Sequence, residues 1–244
     1  MSEHNGACPL IDITRPNEAR IHDYLLGGNV NYGADRAAAE ELKVTIPHLA
    51  ESVRDARDFH RRVVRYVARK TGIRQFIAVS GGLPTQDNVH AVAQAITPDA
   101  RAVYVDRDPM TVTLARALLA RTPGVTAVLG GSQDLCEVLH GQQLQALVDL
   151  DRPVAILLMR LFTGEATHVG IGHLGDVIAP GSYLAATYPT VSCPNACSDG
   201  LRLVEPGFVD VRDWRPDSDR RHPTAPTLFY GGVAHKPLLW AVAA

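Results

Sequence analysis

The residues with the most chemical promise in this sequence stand at three places. Ser80, Gly81 and Gly82 close a short apolar run that begins at Gln75, and a helical stretch follows them. Glycines at the end of a strand let the backbone approach a ligand closely, and the next helix offers it a positive end. The plainer reading is a tight strand-to-helix turn. Asp106 ends a second apolar run, Ala102 to Val105, a little over twenty positions later, where an acid suits ribose hydroxyls. Asp108, just before Pro109, reads as a helix N-cap. The third place is Tyr24-Leu25-Leu26-Gly27-Gly28-Asn29-Val30-Asn31-Tyr32. Such a segment can fold over a pocket as a lid with amides and phenols as donors, or it can pack its Tyr and Leu on a sheet as an arm.

Other chemistries have little support. There is no nucleophile elbow and no Walker loop. Cys193 and Cys197 lack a second pair, and His168 and His173 are spaced too awkwardly to share a helical face, so no metal site is expected. The tandem arginines Arg61-Arg62 and Arg220-Arg221 read as solvated surface.

The elements that must position these groups can be read from periodicity. Residues 1–20 look irregular. A short helix over 21–26 ends at the glycine pair, 34–43 are strong helix formers, and a longer helix runs from Pro47 to about Lys70. In it Ala56, Phe59, Val63 and Val67 recur at helical spacing as one buried stripe. Strands are expected at 75–80, 102–106, 125–129, 153–159 and 182–188, alternating with helices at 84–96, 109–121, 134–148 and 166–178. Strand–helix alternation with short links predicts a parallel sheet covered on both faces. The segments LVEPGFVDV and TLFYGGVAHK have no good helix between them and read as an antiparallel pair. The expected organisation is an N-terminal arm and helical cap over 1–70 and one compact α/β unit over 71–244.

Composition sets the outer bounds. A chain of 244 residues can bury about 70–75% of its unfolded surface and needs no disulfide staples. A net charge of −2 argues against a nucleic-acid protein. No apolar run reaches the length of a membrane span, and MSEHNGACPLID is not a signal peptide. Four scattered cysteines fit a reducing cytoplasm.

Five blocks resemble one family: ARIHDYLLGGNVNYGADRAAAE, GIRQFIAVSGGLPTQDNVHAVAQAITPDARAVYVDRDP, LDRPVAILL, LVEPGFVDVRDWRP and YGGVAHKP. Together they resemble the actinobacterial S-adenosyl methyltransferase family, long catalogued as a domain of unknown function. The resemblance implies the class I methyltransferase fold: an α/β, Rossmann-like, mostly parallel seven-stranded sheet with an antiparallel C-terminal hairpin and an N-terminal helical cap. It also implies that Tyr24, Gly27, Gly28, Asn31, Tyr32, Asp35 and Arg36 face the pocket.

The departures from the family pattern fall on cofactor places. Where the family has D-I-G-T-G, this chain has Ala78, Val79, Ser80, Gly81 and Gly82. The acid that the resemblance implies for the amino-acid end of S-adenosylmethionine is thus missing. The acid expected opposite the adenine amine is Gly131, followed by Ser132, Gln133, Asp134 and Leu135. The usual H-F run is Met159-Arg160-Leu161-Phe162, Gly-Lys-Asp-Asn is Gly28-Asn29-Val30-Asn31, and the helix before LRLVEPG is nearly absent. Losing one polar partner of a buried group costs about 1–3 kcal/mol, so two losses weaken binding by about two to four powers of ten. Ser80 or Gln133 would have to compensate.

The candidate cofactor-binding residues are therefore Ser80, Gly81, Gly82, Asp106, Arg107, Gln133 and Asp134. The candidate catalytic residues are His22, Asp23, Tyr24, Arg36 and Arg160. His22, Asp23, Asp106, Asp134 and Tyr188 are the conceivable bases, and Arg36 and Arg160 the anion partners. Three functions follow. One is an enzyme of secondary metabolism that has left methyl transfer for another displacement or cyclisation on a polar small molecule. The second is a genuine S-adenosylmethionine-dependent methyltransferase, and the third a non-catalytic subunit. A homodimer, or a heteromer with a related chain, is the expected assembly, with neither nucleic acid nor membrane as partner.

Overall fold

The computed structural model describes residues 12–85, 88–159, 171–189, 200–217 and 227–238. Arg160, His168, Cys8, Cys193, Cys197, the Arg220-Arg221 pair and most of the shortened 189–200 region lie outside the described residues, as does the side chain of His173.

Eight strands form one sheet: β1 Gln75–Val79, β2 Arg101–Asp106, β3 Val125–Leu129, β4 Ala155–Met159, β5 Tyr183–Pro189, β6 Arg202–Leu203, β7 Val209–Asp210 and β8 Phe229–His235. Their order is β3-β2-β1-β4-β5-β8-β6, with β7 also paired to β8. The pairs among β1 to β5 are parallel, and β8 runs antiparallel to β5, β6 and β7. Seven positions thus hold eight strands, because β6 and β7 share the last one. Pro206 and Gly207 interrupt that edge, and the Gly207 amide turns back to the Val204 carbonyl at 2.9 Å. A proline has no amide hydrogen for the ladder, so it sits naturally in such a break.

Before the sheet come α1 Glu18–Leu25, α2 Gly33–Thr45 and α3 Leu49–Thr71. The others are α4 Val89–Gln94, α5 Pro109–Leu119, α6 Leu135–His140, α7 Gln142–Gln145 and α8 Ile171–Val177. Two of these differ from the periodicity. The helix expected from Pro84 starts only at Val89, and Thr85, ahead of it, is instead tied to the cap, its hydroxyl donating to Asp23 Oδ1 at 2.7 Å. The helix expected over 134–148 is two short ones, broken at Gly141, whose backbone is extended (φ −69°, ψ 137°).

Alternate residues of the strands feed two cores. Phe76, Ala78, Leu157, Met159 and Ala185 face α3, joining its stripe of Ala56, Phe59, Val63 and Val67 and the buried Trp214. Ile77, Val79, Val103, Val105, Ile156 and Leu158 face the other side with Leu135, Leu139 and Leu174. A strand buried on both faces reads as a continuous apolar run, which is why QFIAV was so plain. The first core crosses from α3 into the strands, so the long helix is part of the main packing unit. No helix among the described residues is long and apolar enough to cross a membrane.

Candidate active site

The glycine turn lies where strand order reverses, since β1 is flanked by β2 on one side and β4 on the other; ligands of open α/β sheets bind at such a crevice. Ser80 takes a left-handed backbone (φ 55°) and Gly82 follows suit (φ 74°). Both glycines are needed for room. A Cβ on Gly81 would lie 2.7 Å from Met159 Sδ, and one on Gly82 would lie 2.8 Å from His22 Nδ1. Cap residue, glycine turn and the end of β4 therefore meet at one point.

Asp106, at the end of β2, is half-buried, and its Oδ1 accepts from the Asp108 amide at 3.0 Å. Burial pushes its carboxyl up to about 6, and the negative charges of Asp108 and Glu18 add to the shift while Arg107 opposes it. A carboxylate short of solvation is a strong acceptor for ligand hydroxyls. Arg107 is exposed and pairs loosely with Glu18 at 3.8 Å.

At the end of β3, Asp134 Oδ1 accepts from the Gly131 amide at 2.7 Å. It lies 3.3 Å from where a Cβ on Gly131 would stand, with Arg107 Cβ 3.8 Å away on the same spot. The carboxylate of Asp134 thus stands next to the place from which the family acid would project, and like Ser80 it is exposed. Gln133 is exposed.

The cap residues divide. His22 is 4% exposed, with Nε2 lacking any partner among the described residues. Burial holds its imidazole well below the ordinary range, with Arg57 and His60 adding to the effect. Asp23 is fully engaged: Oδ2 accepts from the Val30 amide at 2.8 Å and Asn31 Nδ2 at 3.0 Å, while Oδ1 accepts from Thr85. A Cβ on Gly28 would sit on that carboxylate, so the loop after α1 is wrapped around Asp23. This geometry suits a brace better than a base. The Tyr24 hydroxyl donates to Glu40 at 2.8 Å on the exposed side of α2, and Arg36, also exposed, donates to Asn31. Asp35, expected to face the pocket, is instead buried against Arg20 Nε at 2.8 Å and accepts the Tyr32 and Asn17 amides. Tyr188 packs on Phe208, in a strand two places removed from β1.

Four buried polar groups were not visible in the pattern: Arg57, His60, Asn88 and Thr187. Arg57 donates to Asn88 Oδ1 at 2.6 Å and to the Gly81 carbonyl at 3.4 Å, fixing the glycine turn to α3. The only local signal was that Arg57 and His60 adjoin the apolar stripe. Among the described residues no cluster of three metal-ligating side chains occurs.

The arrangement fits an adenosyl ligand at one end and departs from the family at the other. Asp106 can accept ribose hydroxyls and Asp134 an exocyclic amine. No acid stands at Ala78, which is itself 1% exposed within β1.

Comparison with known proteins agrees with this architecture. Among curated proteins none matches the chain. A solved structure from Thermobifida fusca, assigned as a methyltransferase, is 34% identical, with a TM-score of 0.81 over 94% of this chain and 98% of that one. A DUF574 family protein from Streptomyces avermitilis is 32% identical, with a TM-score of 0.82 over 93% and 100%. The profile of the family described as S-adenosyl methyltransferase matches residues 4–196. The chain belongs to this S-adenosyl methyltransferase family.

Proposed function

We propose that the chain binds S-adenosylmethionine through its adenosyl half, in the crevice between β1, β2 and β3, and methylates a polar small molecule. The observation that carries this reading is the Asp134 carboxylate, 3.3 Å from the missing side-chain position of Gly131. It returns one of the two acidic groups that the sequence lacked, and Asp106 keeps the ribose place. When bound, the cofactor supplies an electrophilic methyl group on a sulfonium. The chain's own residues do the positioning: Asp106 accepts the ribose hydroxyls, Asp134 reads the base, and Gly81 and Gly82 leave room beside Met159. Catalysis of such a displacement is largely positioning.

A second reading, in which the fold has left methyl transfer for another displacement, draws on the other end of the crevice. There Ala78 replaces an acid and the His22 imidazole abuts Gly82.

Calorimetry with three ligands separates the two. Under the first reading S-adenosylmethionine and S-adenosylhomocysteine bind at micromolar levels. 5′-Methylthioadenosine, which lacks the amino-acid end, binds within about tenfold of them, since 1.4 kcal/mol is one decade. No binding by any of the three would remove the methyltransferase reading. Asp134→Ala weakens all three ligands alike if Asp134 reads the base.

A further inference from the structure

We propose that His22, His60 and Thr187 form a recess beneath α3, beside the glycine turn, that takes the hydroxyl end of a neutral acceptor molecule of the alcohol or phenol class. Each of the three side chains is at least nine-tenths buried, at 4%, 4% and 0% exposure. Each also has a buried polar atom without a partner among the described residues: His22 Nε2, His60 Nε2 and Thr187 Oγ1. Buried polar atoms are almost always paired, so three at one place need an explanation.

They are at one place because a closed ring of contacts joins them. His22 abuts Gly82, and Gly81 abuts Met159. Met159 is the register partner of Thr187, on the α3 side of the sheet, and Thr187 is in turn paired with Gly231. A Cβ on Gly231 would meet the tip of the Phe59 ring at 2.9 Å, and Phe59 packs edge-on against His60 at 5.3 Å. Arg57 closes the ring, lying near both imidazoles and donating to the Gly81 carbonyl.

The chemistry selects the ligand. Neither imidazole has a partner for its Nε2 among the described residues, and a hydroxyl, which can both donate and accept, meets either tautomer. The guanidinium of Arg57 opposes a cation there, and the burial of the lining makes a charged group costly to desolvate. A neutral O–H satisfies both, and Thr187 can donate to the same oxygen. Met159 and Phe59 supply apolar walls, and the thioether of Met159 is flexible enough to make way. The inference rests on the proposed methyl transfer, in which the hydroxyl oxygen would take the methyl group as the methyl–sulfur bond breaks and its proton would pass to an unpartnered imidazole of the recess.

The test is nitrogen NMR of the full chain carrying ¹⁵N-histidine, titrated with phenol, toluene and benzoate. Phenol is expected to move both Nε2 signals, toluene to leave them in place, and benzoate to bind more weakly than phenol. His60→Phe should weaken phenol about tenfold without affecting toluene. His60→Gln stands in should the Phe variant not fold, and the NMR titration needs neither. Nε2 signals already at hydrogen-bonded positions and unmoved by phenol would mean a resident water only and overturn the proposal, as would tighter binding of benzoate. Titration of the unchanged chain with S-adenosylhomocysteine separates the two readings. Binding there with no phenol response removes the recess alone, while a phenol response without it removes the cofactor reading alone.

Discussion

At Ser80 a side chain occupies a conformation that glycine normally takes, with φ at 55°. A left-handed backbone costs an L-residue about 1–2 kcal/mol, and the exposed hydroxyl makes no hydrogen bond among the described residues to offset it. Ser80→Gly should therefore raise stability by about 1 kcal/mol, read as a higher urea midpoint at unchanged slope. Asp106 carries strain of a different kind. Its carboxyl is raised from 3.8 to about 6, chiefly by burial, so the folded chain holds this proton more tightly than the unfolded one. The corresponding stability is fully present below pH 4 and is lost as the pH rises through 6. Asp106→Asn keeps the shape and removes the ionisation. It should match the parent at pH 4 and exceed it by about 1–2 kcal/mol at pH 8, after allowance for partial exposure, while losing nucleoside affinity. Denaturant unfolding at the two pH values checks the first half and calorimetry the second. A site residue that costs stability where it is functional is the expected signature of a binding group.

Among the elements, the cap is the part whose attachment is least obvious from sequence. Arg20 and Asp35, 1% and 0% exposed, form a buried pair that ties α1 to the start of α2. Arg20 also reaches the Asp12 and Arg15 carbonyls and Met110 Sδ, and Asn17 hydrogen-bonds Asp108 at the head of α5. Breaking one partner of such a pair leaves an uncompensated buried charge, at about 3–5 kcal/mol. Asp35→Ala should cost that much. Hydrogen exchange should show protection lost first over α1 and α2, with β1 and β4 protected longest. The strands were legible because burial on both faces leaves an apolar run such as AILLM, and the stripe of α3 because its period is helical. The late start of α4 was not legible, and neither was the tie of Thr85, ahead of it, to Asp23, far away in sequence. Gly141 marked the break between α6 and α7, but a lone glycine inside a helical pattern is an ambiguous sign. The position of Asp106 at the end of β2 could be read from the apolar run before it. The roles of Asp23, Asp35 and His60 could not, because a polar residue in a helix declares neither its burial nor its partner.

For the molecule as a whole, the cap and the sheet are coupled where a ligand would lie. His22 comes from the cap, Gly82 from β1's turn, Met159 from β4 and Arg57 from α3, and all meet around one point. The cap is held separately to α5 through Asn17 and Asp108. A ligand that fills the crevice thus contacts parts that must separate on unfolding, and it stabilises the native chain by mass action. At a free concentration one hundred times its dissociation constant the gain is about 2.7 kcal/mol. For a chain of this size that corresponds to a rise in melting temperature of about 5–10 °C. S-Adenosylhomocysteine should produce this shift in the parent at pH 8. The shift should shrink as the pH falls below 6, where Asp106 is protonated and can no longer accept both ribose hydroxyls. In Asp106→Ala at the same ligand concentration the melting temperature should hardly move. A shift that survives in this variant, or that grows as the pH falls, would place the ligand away from the end of β2 and detach Asp106 from binding.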